Sequence, residues 1–313
     1  MSSFKYALVL PAMLYGCETW CHLTNTELHK LEVFQHYALK LIQNLPVRTR
    51  SDMVESLMGV YRIKAEIDKR KLLFLQTLIS MPETFTCKKI FLRRLFHYIL
   101  TDDNSQHVQQ SGFIPDIFNI IYKYSLGQYI ENYIRFSFFP AKREWNRIVK
   151  QSVLEYENNA LNERLSLDSD FNLFRTIKNS YSEPYVLWKY AKSRTQLSAA
   201  YYVVKMLTCP PQQNQTTCDK CGGVKTDTVL HLATQCSVTN NERDKFTNIV
   251  LNDFGVEMYL TIDSLNNHEL LQILFGKNIV HLAEKDIEQD FIHVCACYLR
   301  IAANKYFSPT SER

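Results

Sequence analysis

The sequence predicts a mainly α-helical protein, and three observations carry that reading. Of its 313 residues 46% are hydrophobic and 22% charged, the proportions of a chain that can bury a core. Only 8 Gly and 9 Pro are spread over that length, too few for a sandwich of many short strands joined by glycine turns. Apolar residues also recur at three- and four-residue steps over long stretches, the period of helices with one buried face. The expected architecture is helical bundles with a small Cys/His module, in three segments: a helical bundle over 1–82, a helical connector over 83–208, and the module with C-terminal helices over 209–313.

The elements follow in order. Thr24-Asn25-Thr26-Glu27 reads as a capping box, the Thr24 hydroxyl taking a first-turn amide while Glu27 returns to the cap amide. Leu28, Leu31, Phe34 or Gln35, Ala38, Leu41, Ile42 and Leu45 then form one apolar stripe, which Pro46 ends. Asp52 with Glu55 predicts a second box before Met53, Val54, Leu57 and Met58, with Gly59 as the left-handed residue that closes this short helix. Ile63, Ile67, Phe74, Leu75 and Leu78 mark a third helix, so residues 22–80 are expected to form a compact three-helix bundle. Over 85–205 the helical period continues through Phe91, Leu92, Leu95, Phe96 and Ile99, then Ile114 to Ile134, then Trp145, Ile148 and Val149. Aromatics at this spacing are read as core, and 101–111 and 209–217 as linkers.

Charge falls along the chain. Residues 1–100 hold 14 Lys and Arg against 8 Asp and Glu, residues 101–200 hold 12 against 11, and residues 201–313 hold 10 against 13. No stretch reaches the roughly 18 uninterrupted apolar residues of a membrane span. Tyr6 to Gly16 has the length of a signal-peptide core, but Pro11 interrupts it and no small-x-small cleavage site follows. Nine cysteines, an odd number with three in a metal-type cluster, suit reduced thiols. The expected setting is therefore intracellular, cytoplasm or nucleus, and not secreted.

The sharpest chemical signal is Cys218-Asp219-Lys220-Cys221-Gly222-Gly223 followed by His231 and Cys236, a C-x2-C-x9-H-x4-C pattern. Two cysteines three apart can point into one tight turn, and the glycines let the backbone leave it without a Cβ clash. His231 and Cys236 fall on a short predicted helix, one turn and a little more apart. Four protein ligands, three sulfurs and an imidazole, favour one structural Zn2+ ion and leave no open position for a catalytic water. Cys209 is a candidate substitute ligand. His293, Cys295 and Cys297 lie in an apolar helical run and are read as core. Arg48, Arg50, Arg62, Lys64, Arg70 and Lys71, with Lys69, cluster at the connectors and the start of the third helix, where they can meet a phosphate backbone or form a solvated helical face.

Two distant segments suggest a family. Leu10-Pro11-Ala12-Met13-Leu14-Tyr15-Gly16-Cys17-Glu18-Thr19-Trp20 resembles the "LYGCE-W" signature that follows the polymerase palm in LINE-type, non-LTR retrotransposon reverse transcriptases. The helix after it, with Leu31-Glu32-x-Phe34-Gln35, Leu41-Ile42 and Pro46-x-Arg48-Thr49, resembles their thumb region. Arg194-x2-Leu197, Leu207-Thr208 and the Cys/His array are similar to their C-terminal zinc-knuckle (CCHC) segment.

The resemblance implies a C-terminal part of such an enzyme, with a thumb-like bundle over 1–82 and without the palm or the endonuclease. The family's aromatic-x-Asp-Asp turn has no match, since the sole Asp-Asp pair, Asp102-Asp103, lacks the aromatic residue and the setting. The expected function is noncatalytic, weak binding of RNA or single-stranded DNA through Arg48, Arg50, Arg62, Lys64, Arg70 and Lys71 together with the zinc module. The alternative is a zinc-stabilised helical module that contacts proteins and has no nucleic-acid role, with no membrane partner in either case. A thiol hydrolase built on Cys17 or Cys21 with His22 is a third, weaker reading, because no further group orients the pair.

Overall fold

A computed structural model describes residues 10–21, 23–102, 112–209, 217–225, 227–277 and 285–307. The protein is mainly α-helical, and among the described residues the sole β pairing is an isolated bridge between Thr217 and Val224. No helix among them is long and apolar enough to cross a membrane. The chain divides into two compact units, one of residues 1–42 and 60–161, the other of residues 43–59 and 162–313. That partition interleaves the chain, whereas the sequence suggested consecutive segments. The expected linkers 101–111 and 209–217 fall largely outside the described residues.

The first unit begins with Leu14 and Cys17, both fully buried on Ile63 and Ile67. Leu10 and Met13 pack against the same cluster, while Tyr15 is exposed. Helix α1 (Asn25–Ile42) starts as expected: Thr24 Oγ1 accepts from the Glu27 amide at 3.2 Å, and Glu27 Oε2 accepts from the Thr24 amide at 2.9 Å. Its buried side differs from the predicted stripe, because Leu41 is 68% exposed while Leu39, outside the stripe, is fully buried; of Phe34 and Gln35 it is Gln35 that is buried. Gln35 is inside because its amide donates to Tyr61 O at 2.8 Å and its Oε1 accepts from the Ile63 amide at 3.0 Å. It thereby serves a first-turn donor of the next helix of this unit.

Helix α2 (Ser51–Met58) belongs to the second unit, so the expected three-helix bundle over 22–80 does not form as such. Asp52 is not a cap. It sits inside the first turn, buried, pairing with Arg50 at 2.9 Å and Arg164 at 3.7 Å. Gly59 does close the helix, with φ 64° and its amide donating to Ser56 O at 3.0 Å. A partner far along the chain holds this piece: the Tyr185 amide donates to Leu57 O at 2.7 Å.

Back in the first unit, α3 (Ile63–Ser80), α4 (Thr86–Asp102), α5 (Phe113–Lys123), α6 (Gly127–Phe136) and the first turns of α7 (Lys142–Ser166) enclose one core. Leu72, Leu75, Trp145 and Val149 are fully buried there, and the Trp145 indole donates to Leu72 O at 2.7 Å. Trp145 and Val149 are core, as expected, and so are Phe91 and Leu95. Phe96 is 57% exposed.

The second unit continues through α8 (Asn172–Ile177) and α9 (Val186–Tyr190) to its central pair, α10 (Arg194–Thr208) and α15 (Lys285–Phe307). Ala199, Val203 and Val204 on α10, and Phe291, Cys295, Leu299 and Ala302 on α15, are buried, which is why small residues recur along both helices. Ser193 and Gln196 cap α10 reciprocally. Between the two lie α11 (Thr228–Leu230), α12 (Asn240–Ile249), α13 (Val256–Asp263) and α14 (Asn267–Leu274), the last capped by Asn266 and Glu269.

Candidate metal centre

The four residues singled out as ligands come together in the second unit. One ligand atom from each of Cys218, Cys221, His231 and Cys236 lies within 4.8 Å of all the others, close enough for one ion to reach every one. His231 Nε2 is 3.3 Å from Cys221 Sγ.

The first half of the site is a backbone-determined turn. The Cys218 amide donates to Gly223 O and the Gly222 amide to Cys218 O, both at 2.8 Å, and the Thr217–Val224 bridge closes the loop. Gly222 takes φ 71°, a conformation that side chains disfavour. Gly223 answers a different need: its amide donates to Cys221 Sγ at 3.4 Å, and a Cβ there would stand 3.3 Å from that sulfur.

The second half departs from the expected α-helix. Asp227 caps α11, its Oδ1 accepting from the Leu230 amide at 2.8 Å, and the chain then widens into a π turn over His231–Gln235. The Cys236 amide donates five residues back, to His231 O at 2.7 Å. An α-turn would swing residues five apart well round the helix, whereas the wider turn brings His231 and Cys236 towards one side. Such π turns occur often at functional sites. Cys236 is anchored further by its own carbonyl, which accepts from Thr239 Oγ1 at 2.9 Å and from Arg243 at 3.0 Å.

The surroundings are largely dry. Cys218, His231 and Cys236 are buried and Cys221 is half-buried. Burial pushes the Cys236 thiol up to about 11, the neighbouring Cys221 and Cys218 adding to it. Burial acts the same way on Cys218, but the Tyr306 hydroxyl and the amides of Cys221 and Lys220 overcome it and bring that thiol down to about 6. Tyr306, on α15, lies 3.4 Å from Cys218 Sγ with its ring edge-on to His231. Burial and this sulfur together raise the phenol. No local pattern could reveal the Tyr306 contact, since it lies far along the chain from the last ligand. His231 Nδ1 is buried without a hydrogen-bond partner among the described residues. A soft, three-sulfur, one-nitrogen set with four protein donors fits a structural ion with a closed coordination shell.

The other sulfurs stand apart. Cys209 is exposed, its Sγ 3.7 Å from Thr49 Oγ1, and it does not join the cluster. Cys295 is fully buried, as read, while Cys297 and His293 are half-buried, 3.5 Å apart. Burial pushes the Cys17 thiol up to about 11, and His22 lies outside the described residues, as does Asp103.

The six basic residues assigned to nucleic acid are placed unevenly. Arg48 and Arg50 belong to the second unit and Arg62, Lys64, Arg70 and Lys71 to the first. Lys71 is buried and paired with Asp116. Arg70 is held by Glu66 at 3.1 Å and by Leu14 O at 3.3 Å. Arg50 pairs with Asp52 and lies over the Phe171 ring at 5.1 Å. Arg62 is half-buried at the start of α3, and Arg48 and Lys64 are exposed. Lys69 is held by Glu66 as well.

No protein-family model, curated protein or solved structure matches the chain.

Proposed function

We propose that the chain is a noncatalytic helical module that binds single-stranded nucleic acid weakly, its second unit stabilised by one structural zinc ion at Cys218, Cys221, His231 and Cys236. In this reading it derives from the C-terminal part of a LINE-type reverse transcriptase and works inside the cell. The observation that carries it is the closed Cys3His set, whose ligand types, spacing and convergence agree with a zinc knuckle. When bound, the ion supplies folding free energy, of order 10 kcal/mol for structural zinc in small modules. The chain's own residues do the rest: Gly222 and Gly223 shape the turn, Asp227 starts the helix, and Tyr306 steadies Cys218. Four protein donors leave no position for a water nucleophile, which supports a structural role for the site.

The test is made on the full chain. Elemental analysis is expected to give about one zinc per polypeptide. Association with single-stranded RNA is expected at low salt and should weaken as salt rises, because each neutralised phosphate releases counterions. A metal-free protein that is fully folded, or the absence of any salt-dependent association, refutes the corresponding half of the proposal.

A second reading, a zinc-stabilised module that contacts proteins alone, gains from one observation: Arg50, Arg70 and Lys71 are already paired with carboxylates. Protein partners that survive nuclease treatment, together with no RNA association, would establish it.

A further inference from the structure

The pairing of Arg50, Arg70 and Lys71 leaves open which surface of the first unit meets a polyanion, and α4 supplies an answer. From Thr84 to Thr101 the chain has no Asp or Glu and carries Lys88, Lys89, Arg93, Arg94 and His97. Lys88 turns inward, its ammonium donating to Ile79 O at 2.6 Å and to Tyr133 Oη at 3.0 Å. Lys89, Arg93 and Arg94 are exposed, and no ion pair engages them among the described residues. Lys89, Arg93 and His97 follow at steps of four, about 6 Å of helix rise each, and therefore form one ridge.

Along one flank of that ridge runs a cavity of about 400 Å³, with Arg94 and His97 at its margin and Phe74, Phe91, Tyr98 and Phe113 among its walls. Its volume is within the range of small-molecule pockets, and flat aromatic walls suit a planar ring. Phe91 and Leu95 of the same helix are buried in the core, while Ile90, Phe96 and Leu100 are exposed beside the cationic ridge.

We propose that this ridge and cavity form a single-strand nucleic-acid site, in which Lys89, Arg93 and Arg94 take successive phosphates and an unpaired base enters the aromatic cavity. The inference rests on the nucleic-acid half of the proposed function and moves its centre from the residues expected at Arg48–Lys71 to α4. Unpaired bases stacked on aromatic side chains, with a cationic track for the backbone, are the general means of binding single strands.

The experiment uses the full chain and a fluorescein-labelled oligouridylate. Arg93→Gln with Arg94→Gln replaces two exposed side chains, so the fold should persist, which circular dichroism checks. Loss of two phosphate contacts is expected to reduce the slope of log affinity on log salt by about 1.4, the single-strand value for two released counterions. Arg48→Gln with Lys64→Gln, also exposed, should change it less. Cys87 lines the cavity and is exposed, so bound oligouridylate is expected to slow its alkylation. Photocrosslinking through 4-thiouridine should mark peptides from 86–102 and 113–115. If the wild-type chain binds no oligouridylate, the nucleic-acid reading itself fails. If it binds, but the α4 variant keeps its slope and Cys87 stays unprotected, the site is elsewhere and this inference falls. Equal competition by phosphatidylserine vesicles at Cys87 would also overturn it, by assigning the surface to lipid.

Discussion

Removing the metal from the full chain is the most severe test of the proposed centre. Three sulfurs within 4.8 Å cannot all remain charged without a cation. At an effective dielectric constant of 20, each pair of thiolates at that distance repels by about 3.5 kcal/mol. The stripped site must therefore take up protons, beginning with Cys236, which burial pushes up to about 11. What is lost is the folding contribution of the ion, of order 10 kcal/mol, against a whole-domain stability of about 5–15 kcal/mol.

The segment has little else to replace it: an isolated bridge, a three-residue helix and a π turn. Hydrogen exchange should show this directly. A local loss of even ~4 kcal/mol speeds exchange about a thousandfold, so the amides of Gly222, His231 and Cys236 should lose protection on chelation at neutral pH. Thiol titration of the same sample should find three additional reactive cysteines. Amides in the middle of α3, whose core lies in the other unit, should keep their protection. Unchanged exchange over 217–240 and an unchanged thiol count after complete metal removal would refute the argument that the ion holds this module.

Two further outcomes follow from the second unit's geometry. Burial lowers the Lys178 ammonium to about 8 while its Nζ donates to Glu183 O at 2.6 Å. The native state then sheds that proton at about 8 and the unfolded chain near 10.4, so the unfolded state binds more protons in between and stability rises with pH across that window. The stability advantage of Lys178→Met over wild type should shrink by roughly 2–3 kcal/mol from pH 7.5 to pH 10, read from urea midpoints, and a constant difference would contradict the burial argument. Gly59→Ala would place a Cβ 2.5 Å from the Glu183 carbonyl carbon at φ 64°, and thermal unfolding should show a loss of at least about 1–3 kcal/mol.

How much of this was legible in the sequence depends on whether a feature is local. The four ligands were, because the turn needs Cys and Gly at fixed offsets and the second pair falls on one short helix. The π turn was not, since residue spacing alone does not say whether a helix closes four or five residues back. Thr24 and Glu27 formed the expected box because both partners lie within one turn. Asp52 looked the same in sequence, yet Arg50 and the distant Arg164 claim its carboxylate. Of the two alternatives at one stripe position, Gln35 rather than Phe34 is inside, because an amide that bonds Tyr61 and Ile63 is better satisfied within the unit than in water, and Leu41 is left outside. Lys71 reads as a phosphate ligand until Asp116, far away in the chain, is found beside it.

The same distinction explains what an ion bound at these four residues would do for the second unit. Helices α10 and α15 pack through small residues and need no ion for that contact, but in the segment from Thr217 to Thr239 the buried apolar side chains Val229, Leu230, Leu232 and Ala233 all lie in the second half, and Val224 beside the cysteine turn is exposed. Its attachment to α15 is polar at two points: Tyr298 Oη donates to Ala233 O, and Tyr306 Oη meets Cys218 Sγ. Hydrogen bonds of this kind stabilise by about 1 kcal/mol each, and only while their partners are already in place. Four ligands drawn to one ion would keep them there, holding the Ala233 carbonyl and the Cys218 sulfur in place. Ordering of the C-terminal end of α15 is therefore expected to depend on the metal more than its own helical sequence would suggest.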